Sequence, residues 1–72
     1  MDFKQNTYIS PKAFGAMENK PVRVMTTSRK EFIGTLKLEW WETGDVKSVT
    51  IVKPNNTLVV IDKEAIEWIE EI

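Results

Sequence analysis

The stretch EFIGTLKLEWW, residues 31–41, decides how this chain folds. Phe32, Leu36, Leu38 and Trp40 recur at a spacing of two, and Glu31, Thr35, Lys37 and Glu39 fall on the opposite face. That alternation predicts a half-buried strand. Gly34 interrupts the apolar face, where a missing side chain marks a bulge, a bend or the close approach of another backbone. At roughly 3.3 Å per residue such a strand would span about 36 Å, too long to stay straight in a small domain. A long strand bent at its glycine predicts a strongly curved antiparallel sheet or barrel.

The flanking sequence supplies its neighbours. Ser10-Pro11 is a helix start: serine caps free amides, and proline fits the first helical position. Phe14 and Met17, three apart with Ala13 beside them, predict a short helix from Pro11 to about Glu18. Asn19 offers a left-handed stop, and Pro21 prevents continuation. Val22–Thr27 is the first strand, with Val22 and Val24 on one face and Arg23 and Met25 on the other. Ser28-Arg29-Lys30 turns it into the long strand, and Thr43-Gly44-Asp45 makes the next turn. Val46–Lys53 is a third strand with Val49 and Ile51 inward. Pro54-Asn55-Asn56 turns the chain into a fourth strand, Thr57–Ile61. Ile66 to about Glu71 fits neither a helical nor a strand period cleanly, and its β-branched and aromatic residues favour a strand. Residues 1–9 carry no periodic pattern and are expected to form an arm, leaving 10–72 as one domain. The fold expected is mainly β: a small five-stranded, strongly bent antiparallel barrel with a short N-terminal α-helix.

The fourth strand is unlike the others, because Leu58-Val59-Val60-Ile61 is apolar on both faces. Both-sided burial belongs to parallel strands under crossover helices, and no connection here is long enough for one. Its second face must meet the helix or arm of the same chain, or a neighbouring subunit whose edge strand pairs with it. Seventy-two residues lie near the lower limit for an unaided core, which favours the subunit.

Composition narrows the chemistry. There is no Cys and no His, so disulfides and zinc sites built on thiolate and imidazole are excluded. The commonest general base and the best thiolate nucleophile are missing with them. The three glycines, Gly15, Gly34 and Gly44, stand too far apart for a phosphate loop. Neither catalytic residues, a cofactor, a metal nor a small-molecule substrate is expected. No apolar run reaches the roughly 20 residues that cross a bilayer, so the expectation is a cytoplasmic protein with no membrane partner. Charge is uneven: six basic against two acidic residues up to Lys30 give +4, and four against nine from Glu31 onward give −5. If the first part gathers on one surface, that surface attracts a polyanion.

A short helix followed by five bent strands in this order resembles the Sm-like (LSm) family, which includes the bacterial Hfq proteins. PVRVMTTSRKEFIGTL, residues 21–36, is similar to the family's first two strands, with the same spacing to the bending glycine. VVIDKEAIEWI, residues 59–69, looks like its second motif, in which a strand, a tight turn and an interface strand follow directly. Lys63-Glu64-Ala65-Ile66 resembles the Lys-His-Ala-Ile of the Hfq branch. The resemblance covers about residues 10–70 and implies an SH3-like barrel in a homo-oligomeric ring of about five to seven subunits. Such a ring binds single-stranded RNA without catalysis, in RNA metabolism or regulation. At the family's usual aspartate stands Trp40, and at the Hfq-type histidine stands Glu64. Divergent loops of this kind suit a specialised member, such as one encoded by a phage or another mobile element.

The resemblance implies RNA contacts at the loops around the pore, where Lys63 matches the motif in type and charge. Trp41 is a candidate to stack bases there. The helix-bearing face would add Lys4, Lys12 and Lys20. Leu58, Val59, Val60, Ile61, Ile66 and Trp68 would form the subunit interface. Acidic loop residues Glu42, Asp62 and Glu64 favour a second expectation, the same barrel as a protein-interaction ring that binds no RNA.

Overall fold

The structure is a computed structural model and describes residues 9–72. The arm expected over residues 1–9, and Lys4 with it, lies outside the described residues except for Ile9, which packs against the core. One helix, α1 (Pro11–Met17), precedes five strands: β1 (Pro21–Thr26), β2 (Glu31–Trp40), β3 (Val46–Val52), β4 (Leu58–Ile61) and β5 (Ile66–Glu71). A 3-10 turn, Lys63–Ala65, connects the last two. They form one antiparallel sheet in the order β4-β3-β2-β1-β5.

β2 organises the sheet by changing partners. Glu31–Thr35 pair with β1, and Thr35–Trp40 pair with β3. The change falls at Thr35, which pairs with both Pro21 and Val52, beside Gly34, where the absence of a side chain is obligatory. A Cβ there would lie 2.4 Å from the Val52 carbonyl oxygen and 2.7 Å from Ile51 Cγ2. Of the roles that a glycine can play inside a strand, close backbone approach is the one seen.

The alternation of β2 is the alternation of the sheet. Phe32 lies opposite Val24, Leu36 opposite Ile51 and Leu38 opposite Val49, all on the inner face. Val22, Val24, Leu36, Val49 and Ile51 are wholly buried there. Each such burial stabilises by about 1.5–3 kcal/mol, a large share in a domain of this size. α1 covers the concavity and inserts Phe14 into the same core. Seven residues of helix would not persist alone, so this insertion holds it.

Turn chemistry follows the sequence closely. Ser10 Oγ accepts the Ala13 N–H at 3.1 Å and Pro11 occupies the first turn. Asn19 (φ 67°) takes the left-handed conformation and returns its N–H to the Leu36 carbonyl at 2.7 Å. Arg29 (φ 67°) closes the β1–β2 turn, while buried Thr26 accepts the Lys30 N–H and pairs with the Ser28 hydroxyl. Residues 66–71 are a strand, as the β-branched and aromatic content favoured, with a bulge between Met25 and Thr26 of its partner β1.

Two differences from the expectations matter. The ladder stops at β4 and β5, which do not pair with each other, so the sheet is open. Three cations of the basic first part also meet acids of the second part. Antiparallel pairing of β1 with β5 and β2 sets Arg23 against Glu31 (3.4 Å) and Glu70 (3.8 Å). Arg29 lies 3.8 Å from Glu67, and Lys20 lies 3.9 Å from Glu71. Charges segregated along the chain are interleaved in space.

Candidate functional site

The expected interface residues divide by face. Leu58 and Val60 alternate onto the outer side of edge strand β4, 63% and 71% exposed, opposite Val52 and Thr50. Trp68 stands exposed on the outer side of the other edge, opposite Met25. Val59 is half-buried, and Ile61 and Ile66 commit their side chains to the chain's own core. These last two can reach a neighbour only through backbone groups of their strands. Among the described residues, nothing covers Leu58 or Val60.

The expected RNA-contact residues fall at two places. Lys12 is exposed on α1, and Lys20 is exposed just before β1. Trp41 and Lys63 are brought together at the β2–β3 turn. Trp41 donates its N–H to the Asp45 carbonyl at 2.8 Å, and Gly44 (φ 93°) donates to the Trp41 carbonyl at 3.0 Å. The Asp45 carboxylate accepts the Val46 N–H and lies 3.0 Å from Lys63 Nζ. The hydrogen bond from Lys63, helped by the one from Val46, holds the Asp45 carboxyl below its ordinary value. Lys63 is therefore engaged within the chain, and its 3-10 turn starts where Asp62 accepts the Glu64 N–H.

Next to this latch is an open cleft of about 610 Å³ lined by Trp40, Trp41, Glu42, Thr43 and Lys47. Trp40, expected in the core by alternation, is only partly enclosed at 39% exposure. Its indole edge runs along α1, with Cη2 3.5 Å from where a Cβ on Gly15 would sit. Gly15 lies three residues from Lys12, so one helical turn links this lysine to the cleft. Trp41 is 52% exposed, and Lys47 Nζ rests 4.9 Å from its ring centroid. A cation on an exposed indole is worth about 0.5–1 kcal/mol. An unpaired base stacked on the same ring is worth about 1–3 kcal/mol.

Lys47 was not among the residues singled out by the sequence. Its setting depends on a register shift: Glu39 pairs with Ser48 and Trp40 with Val46, which leaves Lys47 without a ladder partner. A bulge of this kind re-aims a side chain, and here the lysine turns onto Trp41. The only signal in the chain was its proximity to Gly44. Among the described residues, no group of three or more His, Cys, Asp or Glu side chains could hold a metal ion. No described helix is long and apolar enough to cross a membrane. No protein family, curated protein or solved structure matches the chain.

Proposed function

We propose that this chain is an Sm-like protein whose bent sheet is completed by its neighbours. β4 of one copy pairs with β5 of the next, and about five to seven copies close into a ring. The ring binds single-stranded RNA, and it does so without catalysis. One observation carries this reading: among the described residues, the open sheet ends in two unpartnered edges, and each presents exposed apolar side chains, Leu58 and Val60 on β4 and Trp68 on β5. Such edges call for strand addition, and edges that differ from one another favour head-to-tail pairing. The element order and the motifs of residues 21–36 and 59–69 support the same reading.

Ring formation is also what makes RNA binding adequate. Arg23, Arg29 and Lys63 lie against acids, and Lys20 only loosely, 3.9 Å from a Glu71 that is about as exposed as it is. Repeating Trp41, Lys12 and Lys20 around a closed face turns several weak contacts into avidity for a single strand. The test is binding of A-rich and U-rich oligonucleotides at low salt. Affinity should fall with added salt, with a log–log slope of about −0.7 per phosphate neutralised, and Lys12→Glu with Lys20→Glu should abolish it. No binding of either oligonucleotide at low salt would contradict the RNA reading.

The engaged cations favour a second reading: the same ring as a protein-interaction scaffold without RNA. A ring that ignores both oligonucleotides would favour it over the RNA reading.

A further inference from the structure

We propose that Lys47 is a phosphate contact held in reserve on the face of Trp41. In this scheme the Trp40–Trp41 cleft takes one nucleotide of single strand by exchange, base onto indole and ammonium onto phosphate. The proposal rests on the RNA reading above, takes over Trp41 as its stacking residue, and adds to it the residue Lys47 and an order of contacts.

Three observations carry it. Trp41 is 52% exposed and carries a cation 4.9 Å from its ring centroid, so the indole is open to solvent and not packed into the core. Base stacking is the stronger of the two competing contacts, so an incoming base displaces the ammonium. The displaced lysine is long, exposed and without a ladder partner, and it stays within reach of the phosphate of the nucleotide that displaced it. The other cation at this end, Lys63, cannot substitute cheaply, because it bridges to Asp45 at 3.0 Å. Glu42 on the cleft wall disfavours a phosphate beside it, which leaves the Lys47 side for the backbone. The alternative guest, a basic peptide side chain, would take the place of Lys47 on the ring and leave two ammonium groups competing for one indole.

The exchange is tested on the full chain with the same A-rich and U-rich oligonucleotides, read by tryptophan fluorescence and by salt titration. Trp41→Ala should weaken binding on the order of tenfold and leave the salt slope unchanged, and Trp41→Phe should restore most of the loss. Lys47→Ala should weaken binding a few-fold and reduce the slope by about 0.7 per subunit engaged, the signature of one lost phosphate contact. In Lys47→Gln, where the chain length is kept, the slope should fall equally. Wild-type binding with an unchanged slope in both Lys47 variants overturns the exchange and leaves the RNA reading standing. Tryptophan quenching by oligolysine but not by either oligonucleotide overturns both, and so does the absence of any RNA binding at low salt.

Discussion

The two edges of the sheet solve the same problem differently. β5 is guarded: Glu67, Glu70 and Glu71 line it, Arg23 and Arg29 cross to those acids, and a bulge interrupts its pairing with β1. β4 carries no charge over Leu58–Ile61 and turns Leu58 and Val60 to solvent. An unguarded apolar edge in a small domain is an aggregation hazard unless another strand meets it. Two β5 edges cannot serve each other, because antiparallel pairing would bring carboxylates together. A β4 edge against the β5 edge of another copy leaves no such conflict. The difference between the edges is what the proposed head-to-tail contact uses: unlike edges would meet, and such contacts close into a ring where the rotation permits.

The most drastic way to break the comparison is to disturb the close approach at Gly34 on which the whole sheet depends. Gly34→Ala puts a Cβ 2.4 Å from the Val52 oxygen, and backbone must move. Overpacking of this kind costs about 1–3 kcal/mol or more, against a total near 3–5 kcal/mol for so small a core. Loss of a cooperative thermal transition by circular dichroism is the expected outcome. Val60→Glu acts on one edge alone. It should abolish assembly in light scattering while changing the unfolding free energy of the separated chain by no more than about 0.5 kcal/mol, since the site is exposed. Ile61→Ala, one residue on but facing inward, should reverse that profile and cost the chain itself about 2–5 kcal/mol in denaturant unfolding. On the guarded edge, Arg23→Ala removes two surface ion pairs and should cost at most about 1 kcal/mol, less in high salt.

The smallest effect is away from the edges, at the Asp45–Lys63 latch. Asp45 is held below its ordinary 3.8, so its contribution is fully present above about pH 4 and is lost as pH falls through the lowered folded value. The melting temperature of wild type should exceed that of Asp45→Asn at neutral pH, and the gap should close in acid. A gap that persists to acid pH would show that the carboxylate charge is not what holds the turn.

How much of this was legible in the sequence depends on the range of the interaction. β2 could be read from its own period, because a half-buried strand writes its two faces into consecutive residues. Gly34 was legible as a special position, but only the structure distinguishes a bend from the approach of Val52. Ser10, Asn19 and the Pro54-Asn55-Asn56 turn were legible because caps and turns are local. The charge blocks were less informative for the opposite reason. Arg23 and Glu70 are 47 positions apart and meet only through strand pairing, so a count along the chain could not reveal that they neutralise each other. Lys63 matched a motif, and nothing in that motif indicated that Asp45 would engage it. Lys47 escaped because its direction comes from a one-residue register shift, which a sequence period does not record.

The central claim is that unlike edges join, and native mass spectrometry of wild type beside Val60→Glu tests it most directly. The account predicts one closed assembly of about five to seven copies for wild type and a monomer for the variant. A wild-type monomer at every concentration, or an assembly that Val60→Glu leaves intact, would contradict it.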